Sequence, residues 1–268
     1  MNAPAPVDPV QAAAPSVGLL TSSRQINDGS RWELGMAWRP EYCITAQGFS
    51  PCGDIVGVPV DLGIGVQYYI PPAYRVRDFC TTLGGLLDEE RVRRQMEAIA
   101  SFEVAQELWT GALTTANPDT INGAPHTNLR LASTDATTVV GTGTVAERLG
   151  QLEEAARRVA LGQQVFLHVP IHLITPIANL LTRRGNVLYT ALDSVVVADA
   201  GYPGTGPAGT GTTWMYATGP VQTRLSAINV EFEPDETINR RTNRQEIWGD
   251  RQFAATFDPC IHMAMNSA

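Results

Sequence analysis

No glycine or proline interrupts the chain between Asp88 and Thr110, and Gly111 then ends the run. Asp88, Glu89 and Glu90 open it, which puts acids at the positive end of a helix dipole and gives Asp88 the chemistry of a cap. Val92, Met96, Ile99, Phe102 and Trp109 follow at spacings that keep one face apolar. The pattern predicts a helix of roughly 22–26 residues, about 33–39 Å long at ~1.5 Å per residue. The mean helix of a globular protein is about three turns. A helix twice that length reads as a spine on which other elements are laid.

The segments before it are of a different kind. Residues 1–18 (MNAPAPVDPVQAAAPSVG) are rich in alanine and proline, lack periodicity, and read as an extended arm that dangles or lies on a neighbour. From Ser30 to Tyr74, short apolar runs broken by glycine and proline predict strands and a long loop. Few of those side chains have local partners, so this stretch is expected to bury against a neighbouring molecule.

The chain becomes mixed after the spine. A polar stretch from Thr114 to Gly143 leads to a capping box, Thr144 with Glu147, and a second helix with Val145, Leu149, Leu152, Ala156 and Val159 on its buried stripe. Gly162 closes that helix. Val165–Val169 and Ser194–Ala198 read as buried strands, with a short helix between them that Pro176 starts and Gly185 ends. Beyond the glycine-rich loop at 201–212 the pattern is β to the end: WMYAT, VQTRLSAINVEFE and RRTNRQEIWGDRQFAATFDPCIHMAM. The class is α+β, with the closing strands free to return to the long helix.

Composition narrows the chemistry. The 268 residues are 44% hydrophobic, enough for a substantial core, and carry a net charge of −8. An acidic surface repels phosphate, so tight binding of nucleic acid by the single chain is not expected. All 19 basic residues are arginine. Without lysine there is no Schiff base, no lysine general base and no P-loop lysine. Cys43, Cys52, Cys80 and Cys260 form no C-x-x-C pair, and no stretch approaches the ~18 apolar residues of a membrane span. The start of the chain lacks the pattern of a signal peptide, so it is expected to be made in the cytoplasm, where Cys43 and Cys52, which bracket a short loop, are by default two free thiols.

Three candidate constellations weaken on inspection. Gly204, Gly206 and Gly209 spell G-x-G-x-x-G, but Pro207 removes an amide and strand-like WMYAT follows where a dinucleotide motif needs a helix. His168 and His172 have a helical ligand spacing, but Pro170 lies between them and no acid or cysteine completes a zinc set. Cys260 and His262 share a face if the segment is a strand, yet nothing upstream resembles an oxyanion hole. The arginine pairs at 93/94, 157/158, 183/184 and 240/241 are interleaved with acids and make no basic stripe; at least one of them suits a bidentate contact between subunits. The expectation is therefore of no catalytic, cofactor-binding or metal-binding residues, no cofactor and no enzymatic activity.

The order of elements is specific. RWELGMAWRPEYC…PCGD with YRVRDFCTTLGG, the long helix ending FEVAQELWTG, the stretch LLTRRGNVLYTALDSVVVADAGYPGTGP closing with WMYATG, and the ending NRQEIWGDRQFAATFDPCIHMAM together resemble the major capsid proteins of tailed bacteriophages with the HK97-type fold. That fold is shared with encapsulin shells. The resemblance runs from Arg31 to Met263 and implies a map: an N-terminal arm at 1–18, strands and an extended loop at 19–87, and a spine helix of a peripheral domain at 88–116. An axial domain at 117–225 and closing strands of the peripheral domain at 226–268 complete it. It implies a virion subunit, made and assembled in the host cytoplasm, that forms hexamers and pentamers around DNA contacted only weakly. Scaffolding, portal and decoration proteins are the expected partners, and no membrane is involved. An encapsulin-like compartment is the alternative within the fold, and a hydrolase using Cys260 or His168/His172 the alternative outside it.

Some members of that family crosslink subunits through a Lys–Asn isopeptide bond, which a chain without lysine cannot form. Mature particles boiled in SDS with reductant should release one band near 28.9 kDa. A ladder that survives reductant would overturn this expectation. One that appears only without reductant would implicate the cysteines, Cys43 and Cys52 first.

Overall fold

The computed structural model describes residues 15–29, 32, 35–40, 66–81, 88–116, 120–121, 124–211, 213–232 and 244–268. Most of the arm, the loop at 41–65 with Cys43 and Cys52, and Arg240/Arg241 lie outside the described residues. So does the side chain of Cys80.

A short helix α1 (Leu19–Ser22) precedes β1 (Arg24–Gly29), β2 (Met36–Trp38), β3 (Gln67–Tyr69) and β4 (Ala73–Thr81). The spine helix α2 (Glu89–Thr110) then turns into α3 (Ala112–Ala116). Small pairs β5 (Thr120–Ile121) and β6 (Ala124–Pro125), then β7 (Thr137–Thr138), lead to helix α4 (Val145–Val159). The remainder is β8 (Phe166–Pro170), β9 (Thr182–Arg184), β10 (Val187–Tyr189), β11 (Val195–Asp199), β12 (Trp214–Thr218), β13 (Gln222–Ser226), β14 (Asn229–Phe232), β15 (Arg244–Thr256) and β16 (His262–Asn266).

Two sheets carry the architecture. In the first, the long β15 pairs with β4 on one edge and with β13 and β14 in succession on the other, and β1 extends it beyond β13. Gln222 pairs with Thr256 and Asn229 with Asp250, so β13–β14 holds one residue more than the stretch of β15 it faces, which is a bulge. Ser226 fills the break: its hydroxyl accepts from the Gln252 amide at 2.9 Å and its carbonyl from Arg251 Nε at 2.7 Å. The second sheet runs β7-β16-β12-β8-β11-β10-β9. The last strand therefore leaves the sheet of β15 and inserts between β12 and β7.

Alternation along the central strands of the second sheet explains its two coats. Phe166, Val195, Val197, Tyr216 and Ala264 point to the side of α2. Leu167, Val169, Val196, Met215, Ala217, Met263 and Met265 point to the side of α4, against Leu149, Leu152 and Ala156. A strand covered on both faces reads as a continuous apolar run, as Val195–Ala198 does.

Helix α2 serves both sheets. Its first half, Val92 and Met96, packs in one core with Ile247, Phe253 and Tyr74 of the first sheet; its second half, Val104, Ala105, Leu108 and Trp109, meets Phe166, Val197 and Tyr216 of the second. The sequence signals at its ends hold. Asp88 accepts from the Arg91 amide at 3.1 Å, and Gly111 closes the helix at φ 64°. Buried Glu107 reaches over that turn to the Leu113 amide at 2.7 Å and the Thr114 hydroxyl at 2.7 Å, which fixes α3 against α2. Thr144 and Glu147 form the expected capping box of α4.

Three expectations change. The short helix expected over 177–184 is a 3-10 turn, Thr175–Leu180, followed by the hairpin β9–β10. Gly185–Asn186 is a two-residue turn with Gly185 at φ 60°, a hairpin signal that outranks the weak helical pattern. Phe102 and Val159, expected in the buried stripes, stand partly exposed at 40% and 39%. Part of the 30–74 segment also belongs to this subunit's own core, because Tyr69 and Tyr74 are buried. Asn128 clamps the chain beside them like a strand of one residue, donating to the Ile70 carbonyl at 2.7 Å and accepting from its amide at 2.8 Å.

Gly249 marks where α2 comes closest to β15. A Cβ there would lie 2.8 Å from Val92 Cγ1 and 3.3 Å from Met96 Cγ, and neither of those side chains has free space to yield. Gly249→Ala should therefore destabilise the subunit by about 1–3 kcal/mol through overpacking. A lower urea midpoint at an unchanged m-value is the expected result. An unchanged midpoint would show that the helix does not seat on the strand.

Candidate functional site

The glycine-rich loop is a latch between the spine and the second sheet. The Thr205 carbonyl accepts from Trp109 Nε1 at 2.9 Å and from the Tyr216 hydroxyl at 3.0 Å. The Gly206 amide is spent on the Thr210 carbonyl at 2.7 Å, and Gly206 lies flat against the Trp214 indole. A phosphate cradle needs free amides facing outward. Here they are turned inward, and β12 follows the loop directly.

His168 and His172 are not brought together. His172 is exposed on the turn after β8, while His168 is fully buried in the strand. Its Nδ1 lies 2.8 Å from the Tyr202 hydroxyl and its Nε2 3.0 Å from Thr218 Oγ1. Thr218 donates its own proton to the Gly219 carbonyl, so it accepts from Nε2–H, and Tyr202 donates to Nδ1. The result is a neutral, satisfied chain of donors ending on a backbone carbonyl. Burial, reinforced by the neighbouring His262, pulls the His168 pKa down to about 3, and burial pulls that of His262 down as well.

Cys260 and His262 do not form a thiolate–imidazole pair either. His262 bonds to the Leu131 carbonyl at 2.9 Å. Cys260 sits in a turn and is disulfide-bonded to a partner outside the described side chains. No group of three or more potential metal ligands occurs among the described residues. Likewise, no described helix is long and apolar enough to cross a membrane.

Three of the four arginine pairs have partners within the subunit: Arg93 with Glu89 at 2.6 Å, Arg94 with Glu90 at 3.7 Å, Arg158 with Glu154 at 2.6 Å and Arg184 with Asp193 at 2.8 Å. Arg157 ties α4 to the loop after β10 through Ser194 Oγ and the Leu192 carbonyl, beside the buried Glu153 that Thr190 satisfies at 2.7 Å.

A buried acid that sequence reasoning missed stands at the centre of the chain's crossings. Asp199 ends β11 and accepts from the Leu19 amide at 2.8 Å, the Ser101 hydroxyl at 2.6 Å and the Gly201 amide at 3.0 Å. It pins the start of α1 to the spine helix and to the second sheet at once. Its signal was present in the run VVVAD-A-G, an acid that closes an apolar strand just before a glycine turn. A carboxylate there needs several donors.

The outer surface offers features of a different kind. Leu161 and Leu192 are exposed where α4 ends beside the loop after β10, and Ile171 and Leu180 are exposed on the turns between β8 and β9. Among the described residues, the outer edges of β4 and β9 carry no neighbouring strand.

Solved structures place this arrangement. The chain is similar to the capsid of an empty GTA particle at a TM-score of 0.57 and 9% identity, with 98% of this chain and 95% of that one covered. Mycobacterium phage Bobi gives 0.56 at 14% identity, covering 99% and 95%, and Gordonia phage Cozz 0.54 at 15%, covering 93% and 85%. The fold is that of a phage capsid subunit. The α+β class and HK97-like architecture implied by the sequence are thus the ones the chain has. No protein-family model and no curated protein matches it.

The buried histidine sets a pH dependence. An unfolded imidazole titrates near 6.5 and folded His168 at about 3, so between those values the unfolded chain binds the extra proton. Stability is fully present above about pH 6.5 and falls as the pH drops toward 3. The loss should be about 1.5–2 kcal/mol between pH 6.5 and 5, before most carboxylates titrate, with His262 adding in the same direction. Urea unfolding of unassembled subunits across that window measures it. A flat profile would contradict the neutral buried assignment.

Proposed function

We propose that the chain is the structural subunit of an icosahedral phage-type shell, self-assembling into hexamers and pentamers that enclose viral DNA. The observation that carries this is the two-way coverage: nearly all of this chain and nearly all of the GTA capsid chain share one fold. The surface physics supports it. Open strand edges and the exposed Leu161, Leu180 and Leu192 are liabilities for a free monomer and assets for a subunit that closes into rings. Of the groups that suggested chemistry in the sequence, the Gly206 amide, His168, His262 and Cys260 are spent on internal bonds or a disulfide and His172 stands apart on an exposed turn, which supports a structural role.

In this reading residues 1–18 are the arm and 19–87 the strands and extended loop. Residues 88–116 are the spine of a peripheral domain, which the sequence reading completes with 226–268, although the final strand of that stretch, 262–266, pairs with β12 and β7 of the other sheet. The axial domain spans 117–225. The subunit's place is the virion, after synthesis and assembly in the host cytoplasm. Scaffolding, portal and decoration proteins are its further partners, and the packaged DNA is held by volume rather than by tight contact with an acidic wall.

Negative-stain microscopy of the expressed protein should show closed shells, and shells from infected cells should hold DNA. A chain that never assembles with its scaffold would sink the proposal, and shells filled with a co-purifying enzyme would favour the compartment reading. Deleting 45–65 should leave a folded subunit that fails to assemble. Extending the deletion through residue 70 should also lower its stability, because Tyr69 and Ile70 belong to the subunit's own core. Normal shells from the shorter deletion would show that this loop is dispensable.

A further inference from the structure

An apolar groove of about 400 Å³ opens where the arm meets the body. Phe102 of the spine helix forms one wall, and Ile171, Ile174, Leu188 and Ala198 form the others. Phe102 is 40% exposed and Ile171 51%, whereas Val92, Met96, Val104 and Leu108 of the same helix and Leu173 of the same turn are buried. Nothing in the bonding of α2 or of the turn after β8 calls for apolar side chains at these two positions. The groove is large enough for a peptide segment or a ligand.

The arm itself indicates the occupant. Pro15 and Val17 already line the groove, and two residues later the chain is locked by Leu19, fully buried, whose amide bonds to Asp199. The fourteen residues upstream therefore start from the groove's mouth. They read MNAPAPVDPVQAAA, with alanine, proline and valine predominant and Asp8 the only charged side chain. Proline-rich segments favour an extended helix rising about 3.1 Å per residue, and prolines reduce the entropy lost on docking. The tether supplies a high effective concentration, so a weak apolar contact suffices.

We propose that residues 7–14 of the arm occupy this groove in the same subunit, running from Pro15 across Phe102 toward Ile171. The arm then acts as a strap over the joint between spine and second sheet, held at one end by Asp199 and at the other by apolar contact. This goes beyond the shell reading, because it concerns the subunit before any assembly.

The test uses the full-length chain, unassembled and dilute, with Val10 replaced by the photo-crosslinking residue p-benzoylphenylalanine. Irradiation followed by peptide mapping should give adducts within one chain, to the stretch around Phe102 and to 171–175. Ile171→Asp, at a half-exposed position that folding tolerates, should reduce their yield at least fivefold while leaving the circular dichroism spectrum unchanged. Adducts that form only between chains and vanish on dilution would show that a second copy's arm is the occupant and would overturn the proposal. Adducts spread elsewhere, or a yield insensitive to Ile171→Asp, would overturn it equally. Shell formation plays no part in the readout, so the failure of one proposal leaves the other standing.

Discussion

One helix buried against two sheets is the constraint from which the rest of this subunit follows. Helix α2 gives its first half to the sheet of β15 and its second to the sheet of β8 and β11. Neither half is long enough to be a stable domain helix alone, since most helical stability in proteins comes from packing of an apolar face. The approach has to be close at both ends. At Gly249 the strand comes within reach of Val92, and at Gly201 the turn after β11 lies so near the helix that a Cβ would meet the Gln106 amide nitrogen at 2.8 Å. The two glycines are what allow one rigid rod to set the relation between the two sheets.

Polar groups buried along that rod secure it at defined points. The Thr205 carbonyl and Asp199 each take donors from elements distant in sequence, and Glu107 takes two from α3 across the turn that ends the helix. A buried acceptor left without donors costs about 1–3 kcal/mol, so each node penalises any sliding of the helix over either sheet. His168 works by the same logic without charge. Its ring can accept from Tyr202 and donate to Thr218 only while neutral, and the strand's burial keeps it so.

Much of this was legible from local pattern. The spine helix with both caps, the capping box at Thr144 and the buried strands at 165–169 and 194–198 follow from period, punctuation and run length. Long-range pairing was not legible. That β16 joins β12 and β7 rather than β15 depends on the turn at Asp258–Cys260, and no local preference encodes which sheet a strand will enter after a turn. The helical reading of 177–184 follows from leucines and arginines that suit a helix, while the Gly185–Asn186 turn suits a hairpin, and pairing with β11 decides the outcome. The structural partners of the glycine loop and of His168, above all Trp109 and Tyr202, could only be found in three dimensions.

The low identity to structures of the same fold is what such an architecture permits. A sheet coated on both faces needs apolar residues on each side of its strands, and many combinations of valine, leucine, isoleucine, methionine and phenylalanine fill the same volume. A spine needs a long uninterrupted run and two close approaches, which glycine supplies wherever the strands happen to pass. What is held constant is period and order, and both survive replacement of most residues. In the proposed shell the surfaces between subunits would have no such tolerance, since a contact repeated around a ring must match its own partner at every copy. The residues distinctive to this chain should therefore concentrate there: the exposed Leu161 and Leu192, the edge of β9 with Arg183 and Arg184, and the segments flanking the loop that leaves β2 and returns at β3.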